Sequence, residues 1–138
     1  MNITRINIIP PVELYDQHLV TEYREIFMVG PALNRSLNSK GWDINRIPNK
    51  FKLNVGHVMF FYDKGEYLYK RYQKLIKEMK QRGMNPNPNR GFKSMEWPDH
   101  FFNDWKPSEG DMNILRERIK LRVSGRPGWY RMTAKIIR

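Results

Sequence analysis

Apolar side chains recur at three- and four-residue spacing in three separate stretches of the chain, and that period commits most of it to helices packed on one another. Val12, Tyr15, Leu19, Tyr23 and Ile26 make the first stripe. Leu68, Tyr72, Leu75, Ile76 and Met79 make the second, and Met112, Leu115 and Ile119 the third. Pro10-Pro11 followed by Val12-Glu13 reads as a helix start, since proline is tolerated in a first turn and a carboxylate there complements the positive helix end. The spacing predicts a helix running to about Met28 and stopping before Gly30-Pro31. Its core face is then separate from the side carrying Leu14, His18, Thr21, Glu22 and Glu25.

Asp63-Lys64-Gly65-Glu66 has the form of a capping box with Asp in place of Ser or Thr, opening a second helix that Gly83 ends. Ser108, with Asp111 three residues on, caps a third, which stops at Gly125 before Pro127. Ala32 to Asn38 adds a helical turn or two, and Trp42 to Asn54, with Pro48, reads as a loop. Residues 84 to 107 read as an ordered but irregular connection whose rings pack onto the helices. At 138 residues the chain is long enough for one core and short for two. The expected fold is mainly α, a single compact domain over residues 1–138 with three principal helices and long irregular connections.

Charge is segregated. Residues 64 to 93 hold nine Lys or Arg against two acidic residues, and residues 114 to 138 hold eight against one, so each stretch is +7. The remaining residues are net −3 within a formal total of +11. A polyanion relieves such self-repulsion, and neighbouring cations gain together by releasing counterions along one backbone. On the second helix Lys70, Lys74 and Lys77 fall on one face with Arg71 alongside, a row suited to a phosphate backbone; the bland alternative is a solvated helix face.

With no cysteine, thiolate metal sites, disulfides and a cysteine nucleophile are excluded, and His18, His57 and His100 lie too far apart for a ligand cluster. Neither a metal nor any other cofactor is expected. No stretch approaches the roughly 20 apolar residues of a membrane span, and no basic region precedes an apolar run at the N-terminus, so a soluble, intracellular protein without membrane contact is expected.

Four short pieces, Thr4-Arg5-Ile6-Asn7, Asp16-Gln17-His18-Leu19, Glu22-Tyr23-Arg24-Glu25 and Gly56 through Lys64, continued by Pro127-Gly128-Trp129-Tyr130 near the end, together resemble the pyrimidine-dimer DNA glycosylase family of ultraviolet repair. The resemblance spans nearly the whole chain and implies the same helical fold. It implies an enzyme acting, as a monomer, on double-stranded DNA that contains pyrimidine dimers or abasic sites. In that family the amine of an N-terminal threonine attacks the sugar C1′ of the dimer's 5′ nucleotide, forming a Schiff base from which β-elimination cuts the strand. An α-amine suits this, because its pKa near 8, against about 10.4 for lysine, leaves more of it neutral at pH 7.

By the same resemblance Thr4 would carry the amine and Glu25 would be the catalytic carboxylate, stabilising positive charge on the sugar and assisting proton transfers. Arg5 and Arg24 match arginines that grip the kinked strand, a task suited to the guanidinium fork. Gln17 and His18 match a pair lining the same site, and Arg118 and Arg122 match backbone-contacting positions. Trp129, Tyr130 and Arg131 offer stacking surface with charge interleaved; the structural alternative is packing of the rings on the first helix. His57 reads as core support. A dimer stacks poorly, so kinking the duplex and extruding a nucleotide there costs less than in intact DNA.

The chain departs from the family pattern in three places. Met1, Asn2 and Ile3 precede Thr4, and two residues beyond the family's initiator Met displace an amine by up to about 7 Å. Trimming or a different start restores Thr4 as nucleophile, a folded-back arm presents the Met1 or Asn2 amine, and failing both the chain is a non-catalytic or differently specific DNA-binding protein. Met28 stands where well-known members carry a further arginine, and Met132 and Thr133 replace aromatics.

Overall fold

A computed structural model describes residues 5–87 and 97–134. The described residues form a mainly α fold around one core, with helices α1 (Asp16–Glu25), α2 (Val29–Leu37), α3 (His57–Phe60), α4 (Gly65–Gln81) and α5 (Glu109–Gly125). The second and third expected helices are α4 and α5. Ser108 and Asp111 form the reciprocal cap of α5, and Gly83 follows α4 at φ 85°, a left-handed conformation that glycine adopts without penalty.

The first expected helix is two helices instead of one. Pro11–Glu13 makes a single 3-10 turn, after which Leu14 and Tyr15 are extended and α1 starts at Asp16. Leu14, placed by spacing on the outer side, is fully buried, and Val12, placed in the core, is 50% exposed. Burying Leu14 takes the chain out of the helix, and Arg82 from the end of α4 holds the Pro11 and Val12 carbonyls as it turns. At the other end a 3-10 turn, Ile26–Met28, leads straight into α2. Pro31 lies in the first turn of α2, where no N–H is needed, so Gly30-Pro31 restarts the helix where a stop was expected. Among the described residues, four helices of nine residues or more therefore stand where three principal ones were expected.

The expected Asp63 cap is also absent. Gly65 opens α4 with no side-chain cap from Lys64, and Asp63 pairs with the Lys64 ammonium at 2.7 Å. What positions this end is Trp97: its ring lies where a Cβ on Gly65 would fall, 2.6 Å from Cδ1, and its Nε1–H donates to the Tyr62 carbonyl at 2.9 Å. Among the described rings of the long connection, Trp97 and Phe101 are buried and Trp105 packs edge-on against Phe60, Phe61 and Tyr67, as expected.

α1 and α4 pack antiparallel. Near one end Arg82 pairs with Asp16 at 2.9 Å, in the middle Arg71 pairs with Glu22, and the Tyr23 and Tyr72 rings, each next in sequence to one of that pair, stack at 5.9 Å. Glu22 and Arg71, expected on outward faces, are therefore core residues. Residues 5–9 thread the same core: Ile6, Ile8 and Ile9 are buried, and the Ile6 N–H donates to His57 Nε2 at 2.8 Å. The His57 Nδ1–H donates to the Lys52 carbonyl at 2.8 Å, which fixes the neutral tautomer, and burial holds its pKa down at about 4. His57 is thus a core group, as the sequence implied.

Candidate nucleic-acid interface and active site

Between the incoming N-terminal segment, the outer side of α1, the end of α5 and the segment after it lies a cleft of about 460 Å³, inside the range of roughly 300–1,000 Å³ in which pockets enclose small groups. Arg5 and Asn7 contribute from the first segment, Gln17, His18, Thr21, Glu22 and Glu25 from α1, Arg122 from α5, Trp129 and Tyr130 from the segment after it, and Asn54 from the loop before α3. Six residues singled out from sequence (Arg5, Gln17, His18, Glu25, Arg122 and Tyr130) are brought together here with a seventh, Trp129.

α1 explains the lining. Residues 18, 21, 22 and 25 lie at three- and four-residue spacing on one side, and Leu19, Tyr23 and Ile26 turn into the core. Glu22 reaches the cleft wall with both its oxygens taken by Arg71, which leaves Glu25 as the half-buried carboxylate facing the space. Burial raises the Glu25 pKa above its ordinary value, against the opposing pull of the Arg5 guanidinium. Such a carboxyl can take and return a proton nearer neutrality than a surface glutamate.

The cations around it repel one another. Burial, then the neighbouring charges of Arg122 and Arg118, push Arg5 down to about 10, with Glu25 opposing. Among the described residues none of these three arginines forms an ion pair with a carboxylate, although Arg118 approaches the Asn54 amide oxygen at 3.5 Å. Guanidinium groups gathered around a concave surface make its potential favourable to an anion.

His18 stacks on Tyr130, ring centroids 4.9 Å apart and planes within 10°, and burial followed by Arg122 and Arg5 lowers its pKa to about 4, so it is a neutral wall of the cleft at pH 7. The segment carrying Tyr130 is pinned to the start of α1. Gln17 donates to the Trp129 carbonyl at 2.6 Å and accepts from the Arg131 N–H at 3.0 Å. The Asp16 N–H donates to the Arg131 carbonyl at 2.7 Å, and the Asp16 carboxylate accepts from the Thr133 N–H and hydroxyl. Gln17 thus acts on the cleft partly through its neighbours. Tyr130 packs on α1, and Trp129 is 45% exposed beneath the Arg126 guanidinium at 4.1 Å.

The remaining sequence candidates lie elsewhere. Arg24, Lys74 and Lys77 are exposed and Lys70 is paired with Glu66 and Asp104; none of them lines the cleft, nor do Arg118 and Arg131. Met1, Asn2 and Thr4 lie outside the described residues. Among the described residues no group of His, Asp or Glu is arranged to hold a metal ion, and no helix is long and apolar enough to cross a membrane.

Asn7, Thr21 and Asn54 line the cleft without having been singled out as site residues. Asn54 had one readable signal, its place before Val55-Gly56 in a turn: it holds φ 63°, a conformation asparagine tolerates better than most residues. A family model described as pyrimidine dimer DNA glycosylase matches residues 3–91, a span that carries every cleft residue from Arg5 to Asn54.

Proposed function

Because the chain belongs to the pyrimidine dimer DNA glycosylase family, a DNA-repair assignment, we propose that it excises a dimerised pyrimidine from duplex DNA through a Schiff base formed by its N-terminal α-amine, and then cleaves the abasic site by β-elimination. The observation that carries this reading is the convergence of Arg5, the residue next to Thr4, with Glu25 in the cleft that Arg122 makes cationic.

In this reading the neutral amine nitrogen attacks C1′, the glycosidic electron pair leaves with the base, which gains a proton, and opening of the C1′–O4′ bond with loss of the amine proton gives the imine. Removal of the C2′ proton then expels the 3′ phosphate, breaking C3′–O3′. Glu25 is the group that moves these protons and offsets the positive charge at C1′, and its raised pKa supports both duties. Arg5 and Arg122 bind phosphates beside the lesion, with Arg118 and Arg24 extending the contact along the backbone. The wall of His18 and Tyr130 faces the extruded nucleotide.

Borohydride trapping on abasic-site and ultraviolet-irradiated duplexes, followed by mapping of the cross-linked peptide, tests the reading. Attachment at the first residue of the mature chain is expected; absence of an adduct on both substrates would leave a differently specific DNA-binding protein on the same scaffold.

A further inference from the structure

At the rim of the cleft the chain makes a tight turn whose corner carries an apolar side chain. The His57 N–H donates to the Asn54 carbonyl at 3.1 Å, and Gly56 lies at φ 87°, ψ −5°, the third position of a type II turn. Val55 is the second residue of that turn. It is 85% exposed, more than any other large apolar side chain among the described residues. Single exposed apolar residues are ordinary, but this one stands on a rigid mount. Asn54 before it holds φ 63°, a costly conformation for a residue with a side chain. His57 is buried two residues on, donating to the Lys52 carbonyl and accepting from the Ile6 N–H, and the Lys52 and Pro48 side chains pack behind Gly56. The turn is therefore fixed to the core. Asn54 lines the cleft, and Arg118, whose charge acts on Arg5 there, approaches the Asn54 amide oxygen at 3.5 Å. A chain needing only to close this turn would place proline or a polar residue at its second position.

We propose that Val55 is a wedge that enters the base stack of duplex DNA beside the nucleotide lodged in the cleft, holding open the step from which that nucleotide is extruded. This rests on the cleft receiving that nucleotide, as argued above. The cations of the cleft bring a phosphate backbone to its rim. An apolar side chain standing beside them cannot bind phosphate; what a duplex offers it is the faces of unstacked bases. Insertion removes the side chain from water and offsets part of the cost of unstacking. The rigid mount matters, because a mobile loop would lose in ordering what insertion gains. A pyrimidine dimer stacks poorly, so the step beside it opens more readily than one in intact DNA. The wedge therefore acts on damaged duplex and adds little to binding of undamaged duplex, which the phosphate contacts supply.

The test compares wild type with Val55→Ala, which shortens the wedge, and Val55→Leu, which lengthens it. It measures the fluorescence of a 2-aminopurine placed beside a thymine dimer, single-turnover excision of that dimer when fully paired and when set in a mismatched bubble, binding to undamaged duplex, and thermal unfolding. Wild type is expected to brighten the reporter on binding, because an unstacked 2-aminopurine is less quenched. Val55→Ala should lose most of that brightening and, with two methyl groups gone from the insertion, about tenfold in excision from the paired duplex; Val55→Leu should keep both. In the bubble, where the stack is already open, the alanine variant should match wild type, and neither variant should change undamaged binding or unfolding temperature. Excision by Val55→Ala equal to wild type on the paired dimer, the same loss in the bubble, or a reporter that stays dark with wild type would each overturn the proposal. A lowered unfolding temperature in both variants would also overturn it and assign the side chain to the fold. A wild-type protein giving no borohydride adduct would instead remove the excision reading beneath, while the reporter, read on binding without turnover, still decides the wedge; the two failures are therefore distinct.

Discussion

Arg71 holds Glu22 by two parallel bonds, Nε to Oε2 at 2.7 Å and Nη2 to Oε1 at 3.0 Å, with both side chains shut away from water. A third guanidinium nitrogen donates to the Ile9 carbonyl, so one arginine of α4 ties α1 to the N-terminal segment. Glu22 lines the cleft wall, and the pair holds α1 against the N-terminal segment, so that Glu25 and Arg5 line one cleft.

Removing one partner leaves an uncompensated buried charge. Arg71→Met alone is expected to cost about 3–5 kcal/mol in urea unfolding, whereas Glu22→Leu combined with Arg71→Met should recover most of that loss. Additive losses would show that the pair is not energetically coupled.

Glu25→Gln keeps the shape of the side chain and removes its proton chemistry. Excision should fall by at least about a hundredfold while affinity for lesion duplex stays within a few-fold. In the wild type, protonating Glu25 removes the carboxylate, so kcat/KM should decline on the acid side with a midpoint above the ordinary 4.5, because burial raises this pKa. Undiminished excision by the glutamine variant would take Glu25 out of the mechanism.

His57 makes stability fall in acid. Its pKa is about 4 in the folded state against an ordinary 6.5, so between those values the unfolded chain binds a proton that the fold refuses. Stability is complete above pH 6.5 and drops below it by up to about 1.4 kcal/mol per pH unit for each such group, levelling off under the folded value. His18 acts in the same direction through a less buried ring. Urea unfolding across this window should show the decline, and a shallower one in His57→Gln.

Asp16 should act on the site from outside it. Burial raises its pKa, but hydrogen bonds from Thr133 and Arg82 more than reverse this and hold the carboxyl below its ordinary value. Asp16→Ala is expected to release the segment bearing Trp129 and Tyr130, seen as faster amide exchange over residues 129 to 134, and to lower kcat/KM on lesion duplex by about tenfold. Unchanged exchange would mean that Gln17 alone secures the segment.

Gly65→Ala tests the start of α4. Alanine is the better helix former, yet its methyl would lie within 2.8 Å of three Trp97 ring atoms, so the substitution should destabilise the fold by about 1–3 kcal/mol in thermal or urea unfolding.

Several residues of the cleft lining are legible in the sequence. His18 and Glu25 stand at helical spacing on a side of α1 separate from its apolar stripe, Gln17 was marked by the family resemblance alone, and charge patterning placed cations near both later helices. Spacing misjudged Leu14, Glu22 and Arg71, because periodicity distinguishes faces of a helix without saying which neighbour covers them. Glu22 reads as solvated until Arg71, 49 residues away, is brought against it. Asn7 belongs to the Thr4-Arg5-Ile6-Asn7 motif, but the burial of its amide oxygen depends on surroundings that the sequence does not show.

By itself the sequence determined the helical period, the caps at Ser108 and Gly83, the cationic balance and the motifs that mark the family, since each rests on neighbours a few residues apart. Tertiary structure alone decided that the first helix breaks at Leu14 and again at Ile26, that Arg71 belongs to the core, and that Arg5, Glu25, Arg122 and Tyr130 surround one cleft. Those outcomes depend on burial and on charges meeting across long loops, and such energies exist only after the chain has closed on itself.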